Sequence, residues 1–161
     1  MVKKLEIHDN FTEDFLLYAI VSPLSDYRIS FFINQKAGLQ LKKYNDLPYG
    51  DEKAGKPAYS WYFFYDENIN TRYYLIGNKN AGNILLIPAL KQIDYFLLIK
   101  SSLSESAFDG KIKQIRNIKQ IYAILRQDFN LLQKMDLFLE NIEMHELNQV
   151  IIPSKKSRYK S

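Results

Sequence analysis

The chain contains no cysteine, and that single absence removes several chemistries together. Disulfides, thiolate nucleophiles, thiolate zinc sites and iron–sulfur clusters all need the missing sulfur. Glycine is scarce too: the six glycines are scattered, and none stands in a GxxxxGK[ST] phosphate loop or a GxGxxG turn. No serine occupies a GxSxG elbow. The two histidines, His8 and His145, lie at opposite ends of the chain. Either could serve as an acid–base group beside Asp9 or Glu146, but no pair has metal-ligand spacing. No catalytic residue, metal or cofactor is therefore expected, and the balance is against an enzyme. Long hydrophobic runs are missing as well. No window reaches about 18 uninterrupted apolar residues, so no membrane span is expected. Lys3 and Lys4 are not followed by the apolar stretch of a signal peptide. A reducing, cytoplasmic setting fits all of this.

What is present suffices for a core. The 161 residues fit one domain by the usual measure of roughly 100–200 residues. With 47% apolar residues, a chain of this size can bury about 70% of its unfolded surface. The net charge of +4 has one source: Lys155, Lys156, Arg158 and Lys160 lie in an acid-free stretch, residues 153–161. Without those four the body carries 18 charges of each sign, so it is formally neutral. A single domain over residues 1–145 and a polar, basic, flexible tail over 146–161 are expected.

Alternation predicts an edge strand over Lys3–His8, and the apolar run Phe15–Val21 predicts a central one, although a helix is compatible with it. Ser22-Pro23 is expected to open a helix with Leu24, Tyr27, Phe31 and Phe32 on its apolar face and Gly38 at its stop. A third strand is expected over Leu39–Leu47 and a mobile loop over Pro48–Pro57. Tyr59–Tyr65 and Thr71–Gly77 read as a hairpin. Ile84–Ile87 reads as a short buried strand ended by Pro88, and Tyr95–Lys100 as a central strand. The Ser102…Glu105 capping box predicts a helix from about Leu103 to Asn117, with Gly110 as its weak point. A strand over Gln120–Leu125 and a short helix capped by Asp128 follow, while Leu137–Ile142 suits a strand or a helix equally.

Asp14-Phe15-Leu16-Leu17 is echoed by Asp94-Tyr95-Phe96-Leu97, and Ser22 by Ser102. Two strand-helix-strand units joined by antiparallel strands suggest an α+β, two-layer sandwich with a mostly antiparallel sheet and two main helices, ferredoxin-like or similar.

The stretch Ile87-Pro88-Ala89 through Ile93-Asp94-Tyr95 resembles the signature of the IPExxxVDY family, an uncharacterised bacterial family. Ile87, Pro88, Asp94 and Tyr95 match, Ile93 replaces valine, and Ala89 stands at the glutamate position. Ser25-Asp26-Tyr27-Arg28 through Asn34 is similar to the family's helix near the N-terminus. The resemblance implies no known activity. The residues themselves read as structural: a strand, a proline turn and a strand.

Two acidic pairs, Asp51-Glu52 and Asp66-Glu67, fall in predicted loops, where solvation explains them better than catalysis. The aromatic hairpin is the stronger candidate. Tyr59, Trp61, Phe63 and Tyr65 point to one face, Tyr62 and Phe64 to the other, with Tyr73 and Tyr74 opposite. If helices cover a single face, rings remain for a partner. The expected function is thus a non-enzymatic protein-interaction module, contacting a second copy or another cytoplasmic protein. An RNA- or ribosome-associated factor using the rings and the basic tail is the alternative, and an unrecognised enzyme is the third.

Overall fold

A computed structural model describes residues 14–50 and 55–159. The strand predicted over 3–8 with His8, the Asp51-Glu52 pair and Lys160 lie outside the described residues.

The first strand, β1 (Phe15–Val21), is followed by helix α1 (Asp26–Ala37) and a two-residue strand, β2 (Lys42–Lys43). β3 (Leu47–Pro48) and β4 (Ala58–Tyr59) form a small separate ladder. The aromatic hairpin is β5 (Trp61–Asp66) and β6 (Thr71–Gly77), and β7 (Tyr95–Lys100) follows the signature. A 3₁₀ turn (Glu105–Phe108) leads into α2 (Asp109–Arg116), then β8 (Ala123–Gln127), α3 (Met135–Glu146) and α4 (Ile152–Tyr159).

The main sheet is six-stranded, ordered β2-β5-β6-β7-β1-β8, and every neighbouring pair is antiparallel. The fold is α+β, as the sequence predicts. Of the two expected strand-helix-strand units, β7-α2-β8 brackets β1 in the sheet, whereas in β1-α1-β2 the third strand, expected over Leu39–Leu47, shrinks to Lys42–Lys43, and Leu47 joins the separate β3–β4 ladder. The β5–β6 hairpin separates β2 from β7, so β2 lies at the far edge.

Alternation along the strands makes two cores. Tyr18, Ile20, Tyr73, Leu75, Leu97 and Ile99 face α1 and α2. Leu17, Ala19, Trp61, Tyr74, Phe96 and Leu98 face the other way, against α3. Leu137–Ile142, open between strand and helix in the sequence, is thus helical, and helices cover both faces of the sheet instead of one. The reason is periodic: Met135, Phe138, Leu139 and Ile142 fall at i, i+3, i+4, i+7 and are all buried.

Polar contacts fix α3 against the sheet. Glu146, at its last turn, accepts from Arg72 Nε at 2.9 Å and from the Tyr74 hydroxyl. Lys100 pairs with Glu143 at 3.1 Å, and His145 Nε2 bonds the Asn45 carbonyl at 2.7 Å. Glu146 therefore belongs to the domain, not to the tail, and the chain continues through a π turn (Leu147–Ile151) into α4. The polar tail extends a helix that already exists, which avoids the cost of nucleation.

Two other expectations change. Ser22 does not cap α1: its hydroxyl donates to Gln120 O at 2.8 Å, and Ser25 stands at the cap position. The helix also presents another face, burying Ile29, Ile33 and Ala37 while Tyr27 and Phe31 are 72% and 55% exposed. Asn34 fixes that rotation, because its side-chain amide bonds both the N–H and the C=O of Leu41, at 2.9 and 3.0 Å. Gly38 ends α1 in the left-handed conformation at φ 68°, as expected.

Candidate ligand-binding cleft

The aromatic hairpin is inside the protein. Trp61 and Tyr74 are 0% exposed, Tyr59 2% and Phe63 5%, because α3 and the β3–β4 segment close the second face, while Tyr73, at 1%, is buried on the first. The Trp61 ring stacks on Phe63 at 5.6 Å and meets the edge of His145 at 4.7 Å. Only Tyr65 stays 39% exposed; Arg72 lies over its ring, and its hydroxyl reaches Asn70. The hairpin rings thus form a core, not a contact surface, and base stacking on them is barred. Of the basic tail, Lys155 and Lys156 stand exposed on α4, and Arg158 lies on its last turn.

The predicted ionisable candidates are engaged locally. His145, with its pKa lowered by burial against the opposing pull of the Asn45 carbonyl, meets a ring and a backbone oxygen. Asp66 accepts from the Asn68 N–H within the hairpin turn. Among the described residues no group of three or more potential metal ligands occurs, and no helix is long and apolar enough to cross a membrane.

The signature is built around a residue outside it. Asn78, fully buried, accepts from Ile87 N at 2.9 Å and donates to Leu90 O and Ile93 O at 2.9 and 2.8 Å. Its backbone takes two more bonds, N–H to Asp94 O and C=O from Leu86 N. A buried amide satisfied this fully holds the loop in one shape. Asp94 accepts from Ser22 N and from Lys79, each at 2.9 Å, and the Tyr95 hydroxyl donates to Leu24 O at 2.6 Å. Ile87 is buried, and Pro88 is the second residue of the first of two successive turns, Leu90 N to Ile87 O and Ile93 N to Leu90 O. Ile84–Ile87 is not the strand expected. It makes one isolated bridge, Lys79 with Leu85, because Asn78 and Asn80 take its backbone donors.

That loop separates two clefts. On one side, a polar cleft of about 460 Å³ is lined by Asp26, Lys43, Asp46, Lys79 and Asp94 among others. Its lysines are paired, Lys43 with Asp26 at 2.8 Å and Lys79 with Asp94 at 2.9 Å. Burial alone would raise the Asp26 carboxyl, but the bonds from Lys43 and Tyr62 bring it below the usual range. Acids and lysines meet here, yet they answer one another.

On the other side lies an apolar cleft of about 680 Å³. Ile84–Ala89 forms one wall, Leu131–Met135 the second, and Tyr49, Gly50, Gly55, Pro57 and Tyr59 the third. Ile84 and Leu131, at 52% and 82% exposure, stand at its rim. Lys134 is the one charged residue among its described lining residues. Burial raises the Tyr49 and Tyr59 hydroxyls, so both stay neutral across the physiological range. Concave, mostly apolar walls with few polar groups are the usual form of a small-molecule site. Sequence reasoning missed this cleft because its walls are far apart in the chain; Leu131 and Leu132, an apolar pair in a short linker, were the available signal.

No family model matches this chain, nor does any curated protein or solved structure reach significant similarity.

Proposed function

We propose that the chain is a non-enzymatic binding module working through the apolar cleft beside the signature loop. The observation that carries this reading is the contrast across that loop: both lysines on one side are already paired with carboxylates, Lys43 with Asp26 and Lys79 with Asp94, while the apolar walls on the other border open space. Exposed apolar surface gathered in a concavity is the usual mark of a binding site. Nile red, a neutral apolar dye, provides the test. Saturable one-to-one binding is expected, abolished in Ala89→Trp, which adds a large ring at an exposed residue of the cleft's lining. Equal binding by the native and filled proteins, with unchanged circular dichroism, would remove the proposal.

A second reading is favoured by a separate observation. β8 ends the sheet and pairs only with β1 among the described residues, with Tyr122 71% and Leu125 51% exposed beside it. An edge strand of this kind can add a strand from a second copy, so self-association belongs to the end of the sheet opposite the hairpin. Sedimentation equilibrium showing a dimer, converted to monomer by Leu125→Lys, is the expected result. The resemblance to the IPExxxVDY family is compatible with both readings, since Ile87, Pro88, Asp94 and Tyr95 act in the loop itself.

A further inference from the structure

We propose that the guest of the apolar cleft is a single-chain amphiphile of the free-fatty-acid class, its chain against Ile84, Leu86 and Leu131 and its carboxylate at Lys134. This rests on reading the cleft as a binding site, and it names what the site takes.

Three features of the walls support it. First, the signature wall offers a guest little hydrogen bonding. The N–H groups of Ile84, Leu86 and Ile87 are turned to Asn80 and Asn78, and Pro88 has none. A peptide lying on that wall would find none of those N–H donors for its carbonyl groups, a cost that a hydrocarbon chain does not meet. Second, charge appears once among the described lining residues. Lys134 is a single point charge, whereas a phosphate head draws on several donors. One cation beside apolar walls therefore complements a singly charged head. Third, the volume of about 680 Å³ lies within the range for one small guest, about 300–1,000 Å³. Ala89 completes the arrangement, since it keeps the wall uncharged where the resemblance would have a glutamate. A carboxylate at that position would add a negative charge to the lining of the same cleft.

The test uses the full chain and a series of straight-chain carboxylic acids kept below their micellar concentrations, with calorimetry as the readout. Each added methylene should tighten binding about fourfold, the equivalent of ~0.8 kcal/mol, until the cleft is full. The alcohol of equal length should bind about tenfold more weakly, because it lacks the charge-assisted contact. Lys134→Asn, which tolerates the residue's φ of 60°, should bring the acid down to the level of the alcohol and leave the alcohol unchanged. Ala89→Glu should weaken the acid more than the alcohol. If acid and alcohol bind equally, or Lys134→Asn has no effect, the head-group assignment fails while the cleft remains a site. If Nile red binds and no chain-length dependence appears, or an apolar peptide outcompetes every acid, the guest is of another class. If neither dye nor acid binds, the reading of the cleft itself falls with the inference.

Discussion

The two faces of the sheet are closed by different means. Toward α1 and α2 the seal is an apolar cluster, with ion pairs only at its margin, such as Lys43 with Asp26. Toward α3 the apolar cluster is as extensive, yet a carboxylate is buried within it: Glu146, 6% exposed, bonded to Arg72 and Tyr74. Burial is not directional. It decides that a helix covers a face but leaves its rotation and slide undetermined, and polar contacts supply those. On the first face Asn34 does so through the Leu41 backbone. On the second, a helix distant in sequence from most of the strands that it covers is fixed by Glu146, Glu143 and His145 together.

The largest effects should not distinguish the faces at all. Phe108→Ala on the first and Phe138→Ala on the second remove rings that are 1% and 0% exposed, and each should cost about 4 kcal/mol in urea unfolding. Clearly unequal losses would mean that one face contributes little to stability. The next experiment separates them. Glu146→Leu leaves Arg72 and the Tyr74 hydroxyl without their partner, and should cost about 2 kcal/mol, discounted because Arg72 reaches solvent. Lys43→Met breaks the marginal pair of the first face and should cost under about 1 kcal/mol. A double variant, Arg72→Met with Glu146→Leu, should be less destabilised than the two losses added.

These asymmetries bear on what the sequence alone reveals. Strands β1, β5, β6 and β7 were legible because their apolar runs are long and bounded by turn residues. Helix α1 was legible in its presence and its stop at Gly38 but not in its start or rotation, since Tyr27 and Phe31 make as good an apolar stripe as Ile29 and Ile33. Only the Asn34 contact with Leu41 separates the two stripes, and a side-chain bond to backbone leaves no periodic trace. The cover of the second face was ambiguous for a related reason: Leu137–Ile142 carries both periods until Met135 is included. With α3 unassigned, the rings of β5 and β6 looked exposed. Asn78 was invisible because a turn rich in Asn and Gly hides which of its residues is buried. The apolar cleft needed three segments brought together, which no local pattern encodes.

A pH titration probes the second face by a smaller effect. Burial lowers the His145 pKa below its ordinary value, and the Asn45 carbonyl and Asp46 oppose that shift without reversing it. The unfolded chain therefore binds a proton at higher pH than the folded one. Its contribution to stability is whole above about pH 6.5 and is lost as pH falls through the lower, folded value. His145→Gln should flatten the slope of stability between neutral pH and pH 5, and a slope unchanged by the substitution would show that the ring is not the group responsible. Tyr73 gives a contrasting case on the first face. Its hydroxyl is buried without a partner, and burial pushes its pKa up to about 12. Tyr73→Phe should leave stability equal or raise it by about 1 kcal/mol, since only an unsatisfied group is removed.

The smallest expected effect tests whether the outside of the first face is truly outside. Tyr27 and Phe31 project from α1 at i, i+4, with the Phe31 ring touching Phe32 edge-on at 5.6 Å. Tyr27→Ser and Phe31→Ser should each change stability by no more than about 0.5 kcal/mol, as surface substitutions do. A loss above about 1 kcal/mol at Phe31 that grows with protein concentration would identify α1 as an interface between copies, because only an associating species has a concentration-dependent stability. A comparable loss independent of concentration would instead mean that the ring is packed within its own chain. Either would break the contrast between a face closed completely by its own helices and a face that needs buried charge to hold its cover in place.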